Sequence, residues 1–500
     1  MADEDKFKGE IVVASRIVEY LSSGLYESPA ACLKELINNS FDADAKRVNV
    51  FVKPDADRII IEDDGFGLNK DEFEKHFSRI SESYKREESD TTPLGRPKIG
   101  KIGIGFIAAN EICNVMEIVS TKKGSTELLE VSIRFDLMRQ DVEERRRNNG
   151  GIAKADYEGA VTLDADKDSH YTHIFLKQIR DEAQPILAGV GTTEFSAGKK
   201  SLYGKSPSSM CKILAEKGLR SWDTFDAYSQ NLLKIGLNVP VAYHDEWILP
   251  TLKSSVKDIE KEAAELDFSL FIDGSEIRKP IVFSPPEPEK TIITRFNFKG
   301  KNVAAKGYFY AQYSTIRPQE LQGVLIRIRN AAVGEYDPSF LGFTSSAGPL
   351  FQAWISGEIV ADDRLENAMN IDRRTLRESH LAYTELQQAV HEYIPELIRR
   401  VRNEIYGERS KEQKVSKAQD IVQKISDVAD KQIADVSPKA ASAIKKSWSD
   451  TARKEPNQKQ LLKRFTVNSL YEVVVEAAKD VLSQRQLEDF LSRLTERLKK

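Results

Sequence analysis

Three short stretches combine reactive residue types with spacing that brings them together. Glu35, Asn39 and Asp42 recur at i, i+4 and i+7 of one predicted helix, so two carboxylates and an amide project from a single stripe. Asp63-Asp64-Gly65-Phe66-Gly67 is an acidic turn whose glycines let the backbone swing sharply. Gly100-Lys101-Ile102-Gly103-Ile104-Gly105-Phe106 frees a run of backbone N–H groups ahead of a helix predicted from Ile107, where the helix dipole also favours anions. The chemistry on offer is phosphate binding beside a carboxylate able to take a proton.

The elements that must position these groups follow from pattern. Ser28 and Pro29 predict a helix start, and the helix runs through Asp42 with Cys32, Leu33, Leu36, Ile37 and Phe41 on its apolar side. Residues 48–52 alternate as a strand, residues 54–57 form a polar turn, and a strand from Arg58 runs into the Asp63 turn. Residues 69–99 are polar and end in Pro93-Leu94-Gly95-Arg96-Pro97, a connecting segment that leads to the glycine run. Strand patterns return at 115–121, 128–135 and 172–176, so residues 1–180 are expected to form an α/β sandwich with one sheet covered by helices. Residues 181–264 read as a mostly helical connector. A second α/β unit is expected over 265–400, with strands at 268–272, 307–312 and 324–328 and an amphipathic helix over 383–406. Residues 401–500 read as helical. Their end sets Leu487, Phe490, Leu491, Leu494 and Leu498 on one stripe, to be buried against its own domain or a second copy.

Taken together and in order, the three stretches resemble the motifs of the ATPases named for gyrase, the ninety-kilodalton heat-shock chaperone, histidine kinases and MutL (GHKL). The resemblance covers roughly residues 10–180. It implies a Bergerat-type ATP-binding fold, ATP hydrolysis, and ATP and Mg²⁺ as cofactors. It gives Asp63 the adenine amine, with Gly65 and Gly67 allowing close backbone approach. Asn39 matches the magnesium ligand, its amide oxygen being a hard donor. Glu35 would orient and deprotonate the attacking water, and Asp42 matches a supporting acidic position. Gly100, Gly103, Gly105 and Phe106 match the phosphate loop. Lys101 and Lys85 are the nearest cations, either phosphate contacts or solvated loop lysines. The family often carries a Gly-Thr pair on a late strand. Here Tyr171-Thr172-His173 supplies the threonine without the glycine. Residues 265–400 resemble the middle domain of the heat-shock chaperone, most clearly from Gly323 to Asn330 and at Asp372-Arg373-Arg374. Arg327 and Arg329, alternating on one strand face, would either stabilise charge on the leaving phosphates or form surface salt bridges.

Two other readings of the glycine run fail. Gly95 to Lys101 has Walker A spacing, but Ile102 stands where Ser or Thr must hold magnesium, and glycines spaced three then two reverse the dinucleotide fingerprint. Bulk properties narrow the class. No stretch approaches the roughly 18 apolar residues of a membrane span. Cys32, Cys113 and Cys211 lack paired spacing, arguing against a disulfide framework or zinc site, and the charged N-terminus lacks a signal-peptide core, so a cytoplasmic protein is expected. None of the six histidines has a phosphoacceptor setting, which disfavours a kinase. The net charge of -4 divides unevenly, about +6 over the last hundred residues against about -10 before them. A chaperone-like or clamp-like ATPase is the favoured expectation, homodimeric in an ATP-dependent way, with an unidentified protein client and no membrane. A DNA-associated ATPase of MutL or MORC type, in repair or defence, is the alternative. The tail does not resemble the chaperone's dimerisation domain.

Overall fold

The computed structural model describes residues 28–52, 58–75, 90–100, 105–139, 156–163, 165–187, 198–344, 352–370, 374–406 and 474–498, with 427, 442 and 446. Lys85, Lys101 and Gly103 lie outside them.

Helix α1 (Pro29–Asp42) begins where the sequence predicts. Ser28 is extended, and its hydroxyl accepts the Ala31 N–H at 3.3 Å. Cys32, Leu33, Leu36, Ile37 and Phe41 are buried. Strands β1 (Arg47–Phe51) and β2 (Arg58–Asp63) pair as an antiparallel hairpin with Val48 opposite Asp63. β3 (Cys113–Thr121), β4 (Leu128–Arg134), β5 (Tyr157–Thr162) and β6 (Tyr171–Ile179) add antiparallel neighbours, and β6 lies against β2 with Thr172 opposite Asp63. The helix expected from Ile107 is a 3₁₀ turn, Gly105–Glu111, packed on α1.

Strands β7 (Ser269–Ile272) and β8 (Ser275–Ile277) correct the expected division of the chain. The second α/β unit expected over 265–400 includes the strand at 268–272. Instead β7 pairs in parallel with β1, Val48 opposite Leu270, and completes an eight-stranded sheet of order β5-β4-β3-β6-β2-β1-β7-β8. The connector between carries α2 (Pro207–Leu214), α3 (Ala227–Asn238) and α4 (Lys257–Ala264), and α3 packs on α1. Burying Leu270, Ile272 and Ile277 contributes roughly 6 kcal/mol at about 2 kcal/mol a side chain. A chain ended at residue 180 is therefore expected to melt well below one ended at 283, or to aggregate through the bare β1 edge. Thermal melts of the two fragments test this, and equal melting temperatures would count against it.

A second sheet has the order β12-β11-β13-β10-β9, from β9 (Thr291–Lys299), β10 (Ala304–Gln312), β11 (Gly323–Ile328), β12 (Ala331–Asp337) and β13 (Ile355–Ala361), with β11 and β13 parallel. Helix α5 (Leu381–Arg400) lays Tyr393 against Phe296 and Phe309 of this sheet. Both sheets belong to one compact unit, Met1–Val401. Arg402–Lys500 forms another, in which helix α6 (Gln484–Leu498) leaves Phe490 36% exposed on its apolar stripe. Among the described residues no helix is long and apolar enough to cross a membrane.

Candidate functional site

Asp63 ends β2 at the centre of the first sheet, 6% exposed. The Ser40 hydroxyl donates to its Oδ2 at 2.7 Å, and the Gly65 N–H to its Oδ1 at 3.0 Å. Burial outweighs these two bonds and pushes the carboxyl up to about 6. Across the ladder Thr172 Oγ1 lies 3.0 Å from Ser120 Oγ. Ser120 gives its own proton to the Tyr171 carbonyl at 2.8 Å, so Thr172 is the donor of that pair. The turn after Asp63 is held tightly by its surroundings. The Phe66 N–H donates to Ala43 O at 2.9 Å, and His170 Nδ1 sits 2.7 Å from Gly65 O. A Cβ on Gly65 would stand 2.8 Å from Ala43 O. Gly67 has a φ of 73° and no room at all, since a Cβ would fall 1.9 Å from Thr121 O.

The α1 stripe meets the glycine run. Glu35 is 9% exposed, and its Oε1 lies 3.3 Å from Lys34 Nζ but makes no hydrogen bond among the described residues. A Cβ on Gly105 would lie 3.4 Å from Glu35 Oε2 and 3.7 Å from Asn39 Nδ2, so the end of the glycine run comes against both side chains. Phe106 is buried beside it. Asp42 turns to the start of that run, where its two oxygens accept the N–H groups of Ile99 at 2.6 Å and Gly100 at 2.7 Å. Asp44 accepts from the Thr92 hydroxyl at 2.5 Å and the Leu94 N–H at 3.0 Å. Arg96 donates to Ala45 O and Asp267 O at 2.6 and 2.7 Å. Residues 90–100 are thereby tied to the C-terminal end of α1. Ser40, Ser120, Asp44 and Arg96 escaped the sequence reading. A clue existed for Ser40, a polar residue on the sheet-facing side of a helix already singled out.

The two arginines do not alternate on a strand face. β11 stops at Ile328, and Arg329 with Asn330 makes the left-handed turn into β12, at φ of 55° and 63°. Arg327 is fully buried. Its Nε meets Glu358 Oε1 at 2.6 Å, its Nη1 donates to Leu237 O at 2.9 Å, and Glu358 also accepts from the hydroxyls of Tyr243 and Tyr308. A guanidinium so enclosed contacts no phosphate, because reaching one would strand Glu358 uncompensated in the core. Arg327 instead closes the C-terminal turn of α3, the helix that backs α1. The Arg329 guanidinium is also occupied, by Asp363, Glu366 and the Lys98 carbonyl.

Glu35, Asn39 and Gly105 thus lie together, and the next residue of α1, Ser40, binds Asp63. Residues 26–172 match the family described as histidine kinase-, DNA gyrase B-, and HSP90-like ATPase. Over 115 residues the chain is 35% identical to a putative type II restriction enzyme, HgiDII, of Herpetosiphon aurantiacus, covering 23% of this chain and 18% of that one. It is 30% identical over 144 residues to the chaperone protein HtpG of Bacillus subtilis (24% and 22%). With HtpG of Gluconobacter oxydans it shares 26% over 148 residues (25% and 23%). The matched stretch spans about a fifth of each of these relatives. Over residues 26–172, this chain carries an ATPase domain of the histidine kinase, DNA gyrase B and HSP90 family.

Proposed function

We propose that the protein binds ATP with Mg²⁺, hydrolyses it, and uses the cycle to drive a clamp-like, chaperone-like change of conformation between two copies. One observation carries the hydrolytic reading: a buried carboxylate, Glu35, with an oxygen free of hydrogen bonds, set against Asn39 and Gly105. Asp63 accepts from the adenine amine, its oxygens oriented by Ser40 and Gly65. Thr172, bonded to Ser120, stands opposite Asp63 on the neighbouring strand β6. Bound Mg²⁺, held by Asn39 and by phosphate oxygens, would neutralise charge on the phosphates. Glu35 takes the proton of the attacking water, and its burial limits hydration of the carboxylate by bulk water. Asp42 holds the backbone at Ile99 and Gly100, where the phosphate-binding glycines begin.

A second reading, a DNA-associated ATPase, is favoured by the relative named as a restriction enzyme and by the basic last hundred residues. Molar mass in solution separates the two. The clamp predicts that a non-hydrolysable ATP analogue doubles the mass of the full chain from 56.4 kDa without DNA. Unchanged mass, with turnover that rises severalfold when duplex DNA is added, would replace it by the second reading.

A further inference from the structure

We propose that Arg329 is a positioning residue through which the five-stranded sheet sets the start of the glycine run, and so governs the grip on nucleotide phosphates. The inference rests on the nucleotide reading above.

Arg329 occupies a left-handed turn, a conformation that costs a side-chain-bearing residue about 1 kcal/mol and persists where the surroundings over-determine it. The surroundings here are specific. The side chain is 3% exposed, Nε donates to Asp363 Oδ1 at 2.8 Å, and Nη2 lies 3.3 Å from Glu366 Oε2. Both carboxylates belong to one 3₁₀ turn, Asp363–Ala368, directly after β13. Held on two sides, the planar guanidinium has its remaining fork, Nη1, directed at the carbonyl of Lys98, to which it donates. Asp90 adds a third negative charge on that side, and its own carbonyl accepts the Lys98 N–H at 3.0 Å.

The position of Lys98 gives the contact its consequence. The next two N–H groups, of Ile99 and Gly100, are those bound by Asp42. The backbone that begins the glycine run is thus gripped from both sides. The second sheet holds its carbonyl through Arg329, and α1 holds its N–H groups through Asp42, one helical turn from Asn39 and two from Glu35. A shift of the β11–β12 turn pulls on Lys98 and so moves the backbone at Ile99 and Gly100 from which the glycine run leaves. The adenine end, built from Asp63, Ser40 and Thr172, makes none of these contacts. Arg329 should therefore act on phosphate recognition and leave nucleoside recognition alone.

The test uses the full-length chain and calorimetric affinities for ATP and for adenosine. Arg329→Ala is expected to weaken ATP about tenfold, the effect of one charge-assisted hydrogen bond, with adenosine unchanged. Arg329→Lys keeps the charge without the fork, and Asp363→Ala leaves the arginine but frees its orientation; each should weaken ATP about threefold and again spare adenosine. These two variants decide the matter should Arg329→Ala fail to fold. Equal losses for ATP and adenosine, or unaltered ATP affinity in the folded Lys and Asp363 variants, would overturn the inference and leave the nucleotide reading standing. Failure of the wild type to bind either ligand would remove that reading, and the inference with it.

Discussion

Asp63→Asn is expected to abolish measurable ATP binding while raising the melting temperature. The carboxylate already accepts from Ser40 and Gly65, one bond to each oxygen, and each oxygen keeps a lone pair for a further donor. An asparagine has a single acceptor oxygen, and its amine would confront the donating adenine amine. Losing a charge-assisted bond and adding a donor clash amounts to about 3 kcal/mol, or more than a hundredfold in affinity. The stability change has the opposite sign. Burial lifts the carboxyl from an ordinary 3.8 to about 6, so ionisation is harder in the folded chain than in the unfolded one. The stability tied to the protonated form is complete below pH 3.8 and is lost as pH rises through 6, a penalty of about 3 kcal/mol at pH 7 to 8. The variant escapes that penalty, so its advantage in thermal melts should be present at pH 8 and vanish toward pH 4. Wild-type ATP affinity should fall as pH drops below about 6, where the carboxyl loses an acceptor. Undiminished ATP affinity in the variant would dismantle the pocket as drawn.

Glu35→Ala is expected to leave ATP affinity within a few fold of wild type and to cut turnover by a factor of about 10² to 10⁴, the usual worth of a positioned base. Glu35→Gln should behave alike, because an amide of the same shape cannot take the proton. Removing the Glu35 carboxylate deprives Lys34, itself buried, of its ion pair, whereas the isosteric Glu35→Gln leaves an amide oxygen beside it. Single-turnover hydrolysis with separately measured affinity distinguishes base from binder. Equal hydrolysis by mutant and wild type would dismiss the general-base role.

The local parts of this site were legible because they are set by neighbours in sequence. Ser28 and Pro29 start α1, the helical period aligns Glu35 with Asn39, and three isoleucines carry β2 into Asp63. The same period places Asp42 on the stripe, but its partners, Ile99 and Gly100, lie 57 and 58 residues on, and nothing in the helix pattern announces them. Arg327 and Arg329 show the opposite failure. Two residues apart on a predicted strand, they read as equivalent, yet the strand ends between them, and one is locked in the core with Glu358. Burial of an arginine depends on a carboxylate from another strand, which alternation cannot reveal. Strand β7 is legible as a strand but its sheet is not, since the parallel pairing of Val48 with Leu270 joins segments more than two hundred residues apart.

That pairing also bears on how the molecule comes into being on the ribosome. β1 emerges early with one edge open, and its partner β7 follows only after the whole connector has been made. At about 5 to 20 residues per second the wait is on the order of ten seconds or more. For that interval an apolar strand edge is uncovered in the cell, and the closing contact is among the most non-local in the chain. The helices of the connector, α3 above all, can fold and dock on α1 in the meantime, shielding the nascent sheet on one face until its last strands arrive.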